Sequence, residues 1–179
     1  MADMAKRFPE NPLLKPKDLL PSHEGLTVEC ILNPGVFEFQ DKTWLLIRVA
    51  ERPLQKPGLV SFPIMENGRI KILEFSMDDP ALDASDPRSV TYDGKGYLTT
   101  LSHLRLASSD NGIDFEVHND KNIFGLGDHE TFGIEDCRVT HIDGTYFLTY
   151  TAVSDNGYGV GMISTTDWSD YHRHGMIIS

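Results

Sequence analysis

The sequence predicts an all-β fold, on three observations. Short apolar runs rich in β-branched and aromatic residues recur: VFEF (Val36 to Phe39), WLLIRV (Trp44 to Val49), YLTTL (Tyr97 to Leu101) and YFLTYTAV (Tyr146 to Val153). Turn-forming pairs punctuate them at Asp41-Lys42, Asn67-Gly68, Asp93-Gly94, Asn111-Gly112, Asp143-Gly144 and Asn156-Gly157. Between these signals no window is long enough for a good amphipathic helix. The third observation is an internal repeat. DPRSVTYDGKGYLTTL from Asp86 lies over DCRVTHIDGTYFLTY from Asp136, pairing Arg88 with Arg138, Asp93-Gly94 with Asp143-Gly144 and Leu98-Thr99 with Leu148-Thr149, each 50 residues apart.

In chain order, residues 1–32 carry Pro9, Pro12, Pro16 and Pro21 without a helical period, and are expected to run extended over a surface. From Asn33, NPGVFEFQDKTWLLI has the shape of the later units: a polar start, a strand, a turn and a second strand. Units starting at Asn33, Asp86 and Asp136, with several short strands each, have the period of β-propeller blades. Residues 33–179 therefore read as about three blades. A ring needs about four to eight, so the chain is expected to be the N-terminal part of a longer protein. In a closed ring the segment Phe8 to Leu14 would seal the last blade. The open sheet faces, carrying Phe37, Leu46, Phe147 and Met162, are expected to leave these 179 residues self-associating or incompletely folded, and inactive unaided. A β-sandwich with regular hairpins is the competing architecture.

Composition narrows the function. Of 179 residues, 16 are Lys or Arg and 27 are Asp or Glu, a net charge of −11, which argues against gripping a phosphate backbone. No apolar run approaches the ~20 residues of a membrane-spanning helix. The two cysteines, Cys30 and Cys137, form neither a disulfide framework nor a metal motif, and the N-terminus has no apolar h-region. These features predict a cytoplasmic chain with reduced thiols and no metal. His172 and His174 lack a partner at metal spacing and read as surface residues. Trp44 and Trp168 could stack on a sugar face, although Trp44, inside an apolar run, reads as core.

In a propeller, residues at the start of each innermost strand point toward the central channel. Those positions hold Asn33, Asp86 with Arg88, and Glu135-Asp136 with Arg138. Carboxylates accept from sugar hydroxyls while Arg and Asn donate, so this cluster suits a hydroxyl-rich ligand. Each Asp-x-Arg could equally make a turn and an ion pair between blades.

NPGVFEFQDKTWLLIRVAERP (Asn33 to Pro53), LRLASSDNGIDF (Leu104 to Phe115) and GIEDCRVTHIDGTYFLTYTAVS (Gly133 to Ser154) together resemble glycoside hydrolase family 130, the β-mannoside phosphorylases and mannosidases. The resemblance implies a five-bladed β-propeller and inverting cleavage of a β-mannoside oligosaccharide, with β-1,2 linkage favoured. It makes Asp136 the general acid and gives Asn33 and Arg48 the mannosyl unit to hold. Glu51, Arg52 and Arg138 match positions lining the same pocket, and Arg88 joins them through the repeat. Cys137 stands where the family usually has proline, and an insertion separates Arg52 from Leu104. Phosphorolysis to mannose 1-phosphate, with inorganic phosphate as co-substrate and no cofactor, is the first expectation. The family's phosphate-gripping residues fall mostly beyond Ser179. An inverting hydrolase is the near alternative, and a non-catalytic carbohydrate-binding module the distant one. A homo-oligomer is compatible with both enzyme readings.

Overall fold

The computed structural model describes residues 7–179. After one 3-10 turn, Pro16–Asp18, every regular element is a strand. The chain forms β1 (Leu26–Phe39) and β2 (Lys42–Pro53), then β3 (Leu59–Glu66) and β4 (Arg69–Ser76), then β5 (Leu82–Asp86), β6 (Ser89–Tyr92) and β7 (Lys95–Leu98). It continues as β8 (Leu101–Ser109), β9 (Glu116–Ile123), β10 (Ile134–Ile142), β11 (Thr145–Ser154), β12 (Gly157–Thr165) and β13 (His172–Ile178). All ladders between these strands are antiparallel.

Two four-stranded sheets, β1-β2-β8-β9 and β10-β11-β12-β13, are the large units. The β3-β4 hairpin and the three-stranded β5-β6-β7 sheet are inserted between β2 and β8. Units headed by Asn33 and Asp136 thus become four-stranded blades, whereas the unit headed by Asp86 is a smaller inserted sheet. Its short strands explain why: β5, β6 and β7 have five, four and four residues and bury little. The predicted strand at Tyr97 to Leu101 is broken. Thr99 donates its backbone N–H to the Arg88 carbonyl and its hydroxyl to that of Pro87, and the chain then leaves the insert for β8. The first sheet also starts at Leu26, inside the segment read as leading up to it.

Four hairpins close on pairs with both residues at positive φ: Gln40-Asp41, Asn67-Gly68, Asp93-Gly94 and Asp143-Gly144. That is the tight turn whose twist matches right-handed strands. The first of them lies one residue earlier than the sequence suggests, because Lys42 already pairs with Phe39.

The two large sheets pack face to face. Phe37, Trp44, Leu46, Leu104 and Leu106 meet Ile134, Cys137, Tyr146, Leu148, Tyr150 and Trp168 in one buried cluster. Phe37 stacks on Trp168 with ring centroids 3.9 Å apart and planes 12° from parallel, so both tryptophans are core residues. Phe37 and Leu46, read as belonging to an open face, are covered in this way, while Phe147 and Met162 are half-buried. The opposite face of the first sheet is covered too. Ile47, Val49 and Ala107 pack under Leu14 and Leu19 of the N-terminal segment. With both faces covered, β8 is buried along its whole length.

A buried polar network fixes that segment. Arg105 donates to the Leu20 carbonyl (2.6 Å) and to the side chains of Asn119 (2.9 Å) and Asn122 (2.6 Å). The Glu51 carboxylate accepts from the backbone N–H of Ser22 (2.7 Å) and from its hydroxyl. Chain segments that Pro21 keeps extended are thereby tied to the sheet they cross.

Candidate functional site

The site forms where β1 and β10 meet, and two strand irregularities aim side chains into it. The β1–β2 register slips between Leu32 and Gly35, where Asn33 and Pro34 fall out of the ladder. The β10–β11 register slips between Glu135 and Arg138, freeing Asp136 and Cys137. Such bulges bend a strand and re-aim its side chains. Asp136 occupies the left-handed region at φ 50°, which Asp tolerates better than most residues. Consecutive residues then go to different places: Cys137 turns into the core, fully buried, while Asp136 stays at the surface of the cleft. Burial pushes the Cys137 thiol up to about 12, so it is an inert packing group.

Close backbone approach holds the two sheets in register here. A Cβ on Gly35 would lie 3.0 Å from the Val139 side chain and 3.1 Å from the Cys137 carbonyl. Gly133, at φ 100°, bridges to Ser102, and a Cβ there would stand 2.0 Å from the Ser102 carbonyl oxygen.

Arg48 on β2 reaches across this seam. Its Nη1 donates to Asp136 Oδ1 (3.0 Å), its Nη2 to Glu135 Oε1 (2.7 Å) and its Nε to Ser102 Oγ (3.2 Å). Asn33 Nδ2 donates to the same Asp136 Oδ1 (3.1 Å). Ser102 Oγ in turn donates to Glu135 Oε1 (3.0 Å). The planar guanidinium suits this forked use. Side chains of Arg48 and Glu135 are each 19% exposed and that of Asp136 is 42% exposed. Both donors fall on Oδ1, and no described residue donates a hydrogen bond to Oδ2. The result is a carboxyl group gripped by one oxygen and open at the other, beside an amide and a guanidinium: an arrangement able to bind a hydroxyl-rich ligand and to carry a proton.

Of the residues singled out in the sequence, Asn33, Arg48, Glu135 and Asp136 come together. The others do not join them. Glu51 is fully buried and engaged by Ser22, with His103 and Arg105 beside it, so it serves the N-terminal segment and not the cleft. Arg52 lies beyond it on β2, 3.5 Å from the Pro87 carbonyl and 3.9 Å from Glu29. Arg88 is exposed on the insert and pairs with its own neighbour Asp86, the turn-and-ion-pair alternative. Arg138 is exposed and donates to the Cys137 carbonyl. One member, Ser102, was not singled out. It had no signal, being a small polar residue in a strand that mixes polar and apolar residues.

No group of three or more His, Cys, Asp or Glu stands at metal-binding distance among the described residues.

The family model described as beta-1,4-mannooligosaccharide phosphorylase matches residues 90–179. A beta-1,2-mannobiose phosphorylase of Listeria innocua serovar 6a is 36% identical over 180 aligned residues, covering 97% of this chain and 51% of its own. Its structure in complex with beta-1,2-mannobiose superposes with a TM-score of 0.86 over the same shares. A beta-1,2-mannobiose phosphorylase of Thermoanaerobacter is 27% identical over 44% of this chain and 27% of its own. At 16% identity, a solved glycoside hydrolase family 130 structure, from a study of hydrolases targeting beta-1,2 mannosidic linkages in Candida mannan, shares the fold. Its TM-score is 0.60, over 98% of this chain and 43% of that one. The chain thus spans about half the length of the Listeria relative.

Proposed function

The chain belongs to glycoside hydrolase family 130, and from that premise we propose that it acts in phosphorolysis of β-1,2-linked mannosides, with Asp136 as the general acid. One observation carries the residue assignment: Arg48 and Asn33 both grip Asp136 Oδ1 across the seam between the two sheets. The 36% identity to a beta-1,2-mannobiose phosphorylase supports the choice of substrate and co-substrate.

In the proposed reaction the mannosyl unit lies against Asn33 and Arg48. Asp136 delivers a proton toward the glycosidic oxygen, directly or through a sugar hydroxyl, as the bond from that oxygen to the anomeric carbon breaks. An oxygen of inorganic phosphate forms the new bond on the opposite face. Configuration inverts, the leaving sugar keeps the proton, and α-mannose 1-phosphate is the product. Arg88 and Arg138, with exposed guanidinium groups, are proposed as outer contacts for the substrate, and Arg52 as a support for the loop carrying Arg88.

The test is a product assay of the purified enzyme on β-1,2-mannobiose, with and without inorganic phosphate. The expected products are α-mannose 1-phosphate and mannose in equal amounts, and only with phosphate present. Release of two mannoses without phosphate would make the enzyme an inverting hydrolase, and turnover of β-1,4- but not β-1,2-linked mannobiose would overturn the linkage.

A further inference from the structure

We propose that Ser102 is a positioning residue for this reaction: one buried hydroxyl that locks Arg48 and Glu135 together and so fixes where Arg48 holds Asp136. The inference rests on the reading of Asp136 and Arg48 given above.

Ser102 is 2% exposed, yet its hydroxyl has two partners. It accepts from Arg48 Nε (3.2 Å) and donates to Glu135 Oε1 (3.0 Å). A hydroxyl has one proton to give, so its direction is settled: Arg48 can only donate, and the hydroxyl proton must go to Glu135. Glu135 Oε1 also accepts from Arg48 Nη2 (2.7 Å), which closes a three-membered ring of hydrogen bonds. With Nε and Nη2 both held in that ring, the guanidinium plane cannot turn about its long axis. Nη1, the remaining nitrogen, is then directed at Asp136 Oδ1 (3.0 Å).

The backbone of Ser102 is equally constrained. Ser102 lies on β8 of the first sheet and makes a parallel bridge to Gly133, just ahead of β10 in the second. Gly133 takes φ 100° with no room for a Cβ against the Ser102 carbonyl. The hydroxyl is therefore anchored at a point of close approach between the sheets, where Gly133 stands two residues along the chain from Glu135. Arg48 comes from the first sheet and Asp136 from the second, so any drift between the sheets would change their separation. Ser102 ties side chains of both sheets to that contact.

A double-mutant cycle tests this, measuring kcat and KM for phosphorolysis of β-1,2-mannobiose together with melting temperature. Ser102→Ala is expected to lower kcat/KM about tenfold or more and to leave a fold that still melts cooperatively above the assay temperature, although the two hydrogen bonds lost are to charged groups and contribute to stability. Glu135→Gln, which keeps the shape of the acceptor, should give a loss of the same kind. In an Arg48→Ala background the effect of Ser102→Ala should shrink to less than twofold, because a residue acting through Arg48 has nothing left to position. If the two losses multiply, if Ser102→Ala matches wild type, or if its loss tracks a collapse in melting temperature, Ser102 is not a positioning residue. If Arg48→Ala is itself fully active, the reading of the site fails instead.

Discussion

Glu51 shows how far residue type alone can mislead. Its place in the ERP stretch, next to Arg52, resembles that of a pocket carboxylate, but its environment is set by Ser22 and by Arg105, which are distant in sequence. Nothing local announces that burial. Removing a buried carboxylate beside a buried guanidinium leaves the latter uncompensated, at a cost of roughly 3–5 kcal/mol. Glu51→Ala should therefore lower the melting temperature sharply and leave KM of the folded enzyme unchanged; a raised KM at unchanged melting temperature would return Glu51 to the pocket. His103 sits in the same cluster. Arg105 can only donate, so the His103 Nε2 lying 3.3 Å from Arg105 Nη2 is the acceptor and the ring proton is on Nδ1. That proton faces Glu51 at 3.7 Å, too far for a hydrogen bond, and the contact is not an ion pair because the ring is neutral. Burial foremost, then the charge of Arg105, pushes His103 down to about 3 from its ordinary 6.5. The unfolded chain thus binds the extra proton first. Stability from this residue is complete above about pH 6.5 and is lost as pH falls toward 3, by about 2 kcal/mol at pH 5. Thermal melts at pH 7 and pH 5 should show the loss in wild type and a flatter response in His103→Gln. Equal slopes in the two proteins would contradict a neutral buried His103.

At the scale of elements, hairpins were the legible part of the sequence. Asn67-Gly68, Asp93-Gly94 and Asp143-Gly144 were readable because two successive positive φ values demand those residue types. Bulges were not. Asn33-Pro34 and Asp136-Cys137 carry the site, but a bulge depends on the partner strand, which local sequence does not specify. The insert was obscured for a different reason. Asp86-Pro87-Arg88 repeats the Asp-x-Arg pattern and the turn spacing of a blade, and only strand length and pairing partners separate it from one. Gly133 is where elements and site meet. Gly133→Ala would add a Cβ 2.0 Å from a backbone oxygen at a φ that L residues rarely adopt. The two sheets would have to move apart. The expected outcome is a stability loss of several kcal/mol, with activity falling by more than the folded fraction explains. An active variant of wild-type melting temperature would show that the sheets do not depend on this contact.

At the scale of the whole molecule, the site belongs to neither sheet alone. The first sheet brings Asn33, Arg48 and Ser102, the second brings Glu135 and Asp136, and the shared aromatic core of Phe37, Trp168 and Tyr146 holds them at working distance. All-β character, blade-like periodicity and the polar residues that meet in the cleft could be read from the sequence, because period, turn chemistry and the GIEDCR and NPG motifs are local. How many strands make each unit, and which polar groups are buried, could not, because both follow from contacts over long sequence separation.

The central claim is that Asp136 supplies the proton that lets the leaving sugar depart. Asn suits the left-handed backbone at this position as well as Asp does, and it keeps an oxygen for Arg48 and Asn33. Asp136→Asn thus removes the proton and little else. The most direct measurement compares this variant with wild type on β-1,2-mannobiose and on an aryl β-mannoside whose phenolate leaves without protonation. The account predicts a loss of about 10²–10⁴ in kcat on the disaccharide and a much smaller loss on the aryl substrate. Equal losses on both, or near-normal turnover of mannobiose, would contradict it.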